Sequence, residues 1–161
     1  MKLIRASRGK YTFQMERKEK QLLFKLLDMY PLIPASHQRL SKSEEQPEAQ
    51  QMLEEALAAQ RRENKEQIQA MLASDGVFTE HEEGYLFSLK STGMDWLLQV
   101  LNDVRVGSWL VLGSPEDPVE MFAKMNEKNA PFFWACEISG HFQVTLIRAM
   151  TGGGGEAGET E

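Results

Sequence analysis

The side chains of this chain best suited to covalent chemistry are Cys136 and His141, five positions apart. An imidazole that takes the proton of a nearby thiol makes a nucleophile, so their relative placement decides whether such a pair exists. Residues 132–138 and 141–150 read as a β-hairpin, with residues 138–140 as a three-residue loop and Gly140 in the left-handed position. In that register Phe132, Trp134 and Cys136 share a face with Phe142, Val144 and Leu146. His141 falls on the other face, opposite Glu137. A thiol buried among apolar side chains is inert, and the pair is not expected to act together. His37 stands alone in a proline-bounded connection, without a second ligand at metal spacing. His81, flanked by acids, reads as a weak metal ligand or as part of a solvated linker. The glycine run 152–155 follows a strand, opens no helix and brings no lysine, so it makes no phosphate cradle. There is no phosphate loop, dinucleotide fingerprint, HExxH motif or paired-cysteine metal site. Carboxylates are abundant but unclustered. The expectation is a chain without catalytic residues, cofactor or metal.

The stretch that must position everything else is 91–113, which holds two of the three tryptophans. Its period predicts a helix in which Trp96, Leu97, Val100, Leu101, Val104 and Val111 face the core. Asp95, Gln99, Asn102 and Asp103 fill the opposite face. Beyond Val104 the solvent side turns apolar through Val106, Trp109 and Leu110. A helix apolar all round is covered on all sides, here by the C-terminal hairpin or by a partner.

The other elements follow in order. Residues 3–6 and 11–15 predict a hairpin around Arg8 and Gly9, pairing Ala6 with Tyr11 and Ile4 with Phe13. Residues 16–29 predict a helix with Leu22, Leu23, Leu26, Leu27 and Tyr30 buried, ended by Pro31. Residues 43–46 have the form of a capping box for a long helix ending near Ala73, with a polar middle over 60–67. Residues 77–84 read as a polar linker and 85–89 as a short strand. A turn at 114–118 precedes a short helix over 119–125. The expected fold class is α+β: a small antiparallel sheet from two terminal hairpins, packed on a helical core, as one domain over 1–150. The Gly/Glu-rich tail, 151–161, is expected to be disordered.

Composition bounds the setting. The chain has 161 residues, 42% hydrophobic and 26% charged, which fits one globular domain. A single cysteine, the lack of a signal-like apolar run and the lack of a bilayer-length stretch point to a cytoplasmic protein away from membranes. The net charge of −6 is unevenly spread. Residues 1–25 carry eight basic and two acidic side chains, and the remainder carries ten basic and twenty-two acidic. Arg5, Arg8, Lys10, Arg17, Lys18 and Lys20 are therefore candidates for contact with an acidic partner.

The run Leu101-Asn102-Asp103-Val104-Arg105, with Trp96-Leu97 before it and Gly113 after it, resembles the bacterial domain of unknown function DUF2017. The opening is similar too: a basic strand, an Arg-Gly turn, Tyr11-Thr12-Phe13-Gln14-Met15 and a Leu-rich helix. The resemblance spans roughly residues 1–113; the ending departs from it. It implies no catalytic residues. Some members of that family are labelled regulators, and some lie beside the gene for the adaptor that feeds N-degron substrates to the Clp protease. By spacing, Asn102, Arg105 and Trp109 share one helix edge, with Arg105 in reach of the Trp109 ring. With Val106 and Leu110 they form the candidate interaction surface. The favoured reading of Asn102 and Arg105 is nonetheless structural: they hydrogen-bond the backbone of a neighbouring loop and fix how the helix docks. The functional expectation is a non-catalytic, self-associating or partner-binding regulatory or adaptor domain of the bacterial cytoplasm. The alternatives are a nucleic-acid-binding regulator using the basic hairpin and an enzyme with an unrecognised carboxylate site. Sequence-specific DNA binding is not expected, since no recognition helix stands out and the remaining surface is acidic.

Overall fold

The computed structural model describes residues 1–33 and 47–152. The predicted capping box at 43–46, His37 and most of the glycine tail lie outside those residues. The fold is α+β. Strands β1 (Lys2–Ser7) and β2 (Lys10–Glu16) are followed by helices α1 (Arg17–Met29) and α2 (Pro47–Ala73). Strands β3 (Phe78–His81) and β4 (Gly84–Lys90) then lead into α3 (Ser91–Val111), α4 (Pro118–Ala123) and α5 (Ala130–Met150). The sheet is antiparallel in the order β1-β2-β4-β3.

Alternation sorts the strands cleanly. Phe13 and Met15 on β2, with Phe87 and Leu89 on β4, are almost fully buried beneath the helices. The opposite face carries Lys2, Arg5, Lys10, Thr12, Gln14 and Ser88, as the register requires. One detail differs from the expected hairpin. Ala6 pairs with Tyr11, but Leu3 rather than Ile4 pairs with Phe13, because the register shifts between Leu3 and Arg5. The extra residue, Ile4, is left 43% exposed. Such a bulge keeps the strand in the sheet while moving its first residues by one place.

The second hairpin is internal, β3 with β4, and not C-terminal. Residues 77–84, expected as a polar linker, supply β3 and a turn in which Glu82 takes φ 47°. The region expected as the C-terminal hairpin is the single helix α5. Its buried positions include Ala135, Ser139, Phe142, Leu146 and Ala149. They recur at spacings of four and three, the seam of one helix lying along another. The apolar run 132–136 imitates a buried strand, and that local pattern is outweighed by the longer period. Gly140 is therefore no turn residue. It lies mid-helix, where a Cβ would meet the Arg105 side chain of α3 at 3.8 Å. Ser108 on α3 and Ser139 on α5 are both fully buried, small enough for close helix approach.

Helix α3 is the hub, with Met94, Leu97, Val100, Leu101 and Val104 essentially without solvent contact. Leu23, Leu26 and Leu27 of α1, Ile68 and Leu72 of α2, and Phe142 and Leu146 of α5 complete the core. Val111, expected in the core, is 51% exposed, because α3 runs past the end of the packed region. Leu22 is likewise open at 37%.

Candidate functional site

The Leu101–Arg105 motif does two jobs with two sets of residues. Asp103, expected on the solvent face, is 8% exposed. Its Oδ1 accepts hydrogen bonds from the backbone N–H groups of Leu32 (2.6 Å) and Ile33 (3.2 Å). Gly107, one turn on, leaves the space that Leu32 fills: an added Cβ would lie 2.8 Å from Leu32 Cβ. The polar middle of α2 meets the same segment from the other side. Arg61 donates to the Ile33 carbonyl, and Lys65 Nζ donates to the Tyr30 carbonyl at 2.9 Å. Desolvation raises the Tyr30 pKa, partly offset by a hydrogen bond with Asn64. The loop-anchoring role considered for Asn102 and Arg105 thus belongs to Asp103.

Asn102 and Arg105 are exposed and lie beside each other, Arg105 Nη2 to Asn102 Oδ1 at 3.5 Å. Arg105 does not stack on Trp109: the cation–ring contacts among the described residues belong to Arg17 and Lys20. Trp109 instead donates from Nε1 to the Pro115 carbonyl at 3.0 Å and remains 39% exposed. Val106 and Leu110 are half-buried. Of the five candidates, Asn102, Arg105 and Trp109 face solvent and the two aliphatic ones do so only in part.

The larger apolar exposure lies on the next two elements, where sequence reading did not place it. Asp117 caps α4 by accepting from Glu120 N at 2.7 Å, with Pro118 at its start. Glu120 in turn accepts from Lys124 and from the Glu116 backbone, which lowers its pKa, the lysine bond being the larger cause. The short helix presents Val119 at 78% and Phe122 at 63% exposure. Phe122 meets Phe133 edge-on at 5.9 Å, and Phe133 meets Trp134 edge-on at 5.0 Å. Trp134 is itself 54% exposed. The chain of rings starts buried at Phe133 and ends in solvent on both sides.

The six candidate basic residues do not form one patch. Lys20 sits against three rings, its Nζ 4.0 Å from the Tyr85 centroid, 4.5 Å from Phe78 and 5.8 Å from Phe24. Arg17 approaches Tyr85 as well. These two help fasten α1 to the sheet, and Arg17 and Lys18 share a concavity with Glu16, Glu19, Glu82 and Glu83. Arg5, Arg8 and Lys10 gather at the other end of the hairpin, in a cleft of about 600 Å³ that also takes in Lys90. Lys90 was not foreseen, because only the pairing of β2 with β4 brings it opposite Lys10.

Cys136 is half-buried on α5, not locked in a β core. Burial raises its pKa, Glu137 adds to that, and Arg105 partly opposes it. Five positions on a helix turn by roughly 140°, so His141 points away from the thiol. His81 approaches Glu82 at 4.0 Å. Among the described residues no three His, Cys, Asp or Glu side chains gather in a metal-holding group, and no helix is long and apolar enough to cross a membrane.

No family model, curated protein or solved structure matches this chain.

Proposed function

We propose that the chain is a non-catalytic protein-interaction module of regulatory or adaptor type, acting in the bacterial cytoplasm and engaging a protein partner or a second copy of itself. The observation that carries this reading is the uncovered apolar surface of Val119, Phe122 and Trp134, on the capped helix α4 and the start of α5, around the buried Phe133. Large exposed apolar groups backed by a fixed core are what interaction surfaces use, with Trp as a frequent anchor. Asn102, Arg105 and Trp109 on α3 are exposed as well, and Trp109 is tied to the segment before α4 through Pro115. A regulatory or interaction role is what the resemblance of roughly residues 1–113 to DUF2017 implies.

Sedimentation across a concentration range, paired with affinity capture from bacterial lysate, tests the reading on the wild-type chain and on a Phe122→Ser/Trp134→Ser variant. Either a concentration-dependent oligomer or a captured protein is expected, and the double variant should lose it while keeping its circular dichroism spectrum. A wild-type chain that stays monomeric and captures nothing, or captures equally after substitution, overturns the proposal.

A further inference from the structure

The hairpin turn, the end of β4 and the start of α3 meet at one end of the sheet, away from the aromatic surface. In register, Lys10 of β2 lies directly opposite Lys90 of β4. Arg5 occupies the next row, paired with Thr12. Arg8 adds a fourth cation at the turn. All four line one cleft of about 600 Å³, along with the hydroxyl residues Ser91 and Thr92. None of the four makes an ion pair among the described residues, whose ion pairs involve Met1, His81 and Lys124. Like charges placed opposite each other across two strands destabilise a sheet. Four of them around one concavity are a standing cost that an anion would remove.

Two further details define the cleft. Arg8 holds φ 51° and Gly9 φ 73°. Glycine, asparagine or aspartate takes that left-handed position most readily, so arginine stands there against backbone preference. The turn is fixed to the helix, since Ser91 N and Ser91 Oγ both donate to the Gly9 carbonyl, at 2.9 and 3.1 Å. The first turn of the 21-residue α3 has no side-chain cap, so its positive end adds to the four cations.

A second cavity of about 400 Å³ adjoins the cleft at this end of the sheet, and Lys10, Lys90 and Thr92 line both. That cavity is lined by Trp96, Met71 and Val77, with Asp75 at its side. A cationic cleft beside an aromatic and aliphatic one, with a single carboxylate able to accept from an N–H, asks for a ligand with the matching two parts.

We propose that this end of the molecule binds a phosphorylated small molecule of the nucleotide class. The phosphates sit among Arg5, Arg8, Lys10 and Lys90, and the flat uncharged part sits against Trp96. The arginines supply planar forks that match phosphate oxygens, and the lysines supply point charges. This site is separate from the aromatic surface of α4 and α5, so either proposal can fail without the other.

Isothermal titration of the full chain with inorganic pyrophosphate, ADP and adenosine provides the test. ADP should bind more tightly than pyrophosphate, and adenosine least. Affinity for both anions should fall as salt rises. Arg5→Gln/Lys90→Gln should weaken ADP at least tenfold with an unchanged circular dichroism spectrum. Arg8→Gly relieves the left-handed arginine and removes one cation, so the melting temperature should rise while ADP binding weakens. A purely structural turn would give the first effect without the second. The proposal is overturned if neither anion binds at millimolar concentration, if ADP binds no better than pyrophosphate, or if Arg8→Gly leaves binding unchanged. Binding of single-stranded oligonucleotides without binding of ADP would overturn it too, and would assign the cleft to nucleic acid.

Discussion

Asp103 on α3 holds Leu32 by its backbone: the carboxylate oxygen accepts the Leu32 N–H at 2.6 Å, across seventy-one positions of sequence. The chain leaving α1 is thereby fixed to the hub helix at the point where Arg61 and Lys65 of α2 also grip it. Three helices are joined through one short segment of backbone. An acid facing solvent by helical count is, in the folded chain, the acceptor that this segment needs.

Asp103→Ala should destabilise the fold by about 2–3 kcal/mol, since it leaves two partly buried N–H groups without their charged acceptor. Asn102→Ala, one residue away on the exposed edge, should change stability by less than about 0.5 kcal/mol. Chemical denaturation gives both values. Hydrogen exchange at the Leu32 and Ile33 amides should quicken in the first variant alone.

Two mid-helix glycines should respond in opposite directions. At Gly107 an added methyl would sit 2.8 Å from Leu32 Cβ and Cγ and 3.0 Å from Ile33 N, with backbone among the atoms that must move. Gly107→Ala should therefore cost about 1–3 kcal/mol. At Gly140 the nearest atom is the flexible Arg105 Cδ at 3.8 Å, an ordinary contact. Gly140→Ala should stabilise by up to about 1 kcal/mol through helix propensity. Melting curves of the two variants decide this. A destabilised Gly140→Ala would mean that α3 and α5 approach more closely than described.

The same glycine shows where sequence reading ends. Helices α1, α2 and α3, the first hairpin and strand β4 were legible, because each has a stop signal or a clean period of its own: Pro31, Asp75-Gly76, and the alternation of Tyr85, Phe87 and Leu89. Helix α5 was not. Its glycine, its aromatics and its β-branched residues are all good hairpin material, and only contact with α3 makes Ala135, Ser139 and Phe142 a seam. Asp103 was misplaced for a related reason: its acceptor role depends on a loop seventy positions away. Lys90 joined the basic cleft only through strand pairing, and the exposure of Phe122 and Trp134 follows from what fails to cover them. Local elements are written in local spacing, whereas these sites are made by non-local contact.

Cys136 should alkylate slowly in the native chain near neutral pH. Its pKa lies above the usual thiol range because burial and Glu137 disfavour the thiolate. The reactive form is the thiolate, so a raised pKa means a smaller reactive fraction at a given pH. The rate with iodoacetamide should keep rising through pH values at which a free cysteine has levelled off. Unfolding in denaturant should remove the difference. Native labelling as fast as that of a free thiol would contradict the half-buried placement on α5.

The most direct test of the proposed interaction surface is photo-crosslinking in living cells, with benzoylphenylalanine replacing Phe122. That ring is 63% exposed and meets Phe133 in a T-shaped contact, so a probe there reaches solvent. Leu22, exposed on α1 at 37%, serves as the control position. The account predicts a discrete protein adduct from position 122, to a partner or to a second copy, and none from position 22. Irradiation that yields no adduct at 122, or the same diffuse adducts at both positions, would contradict it.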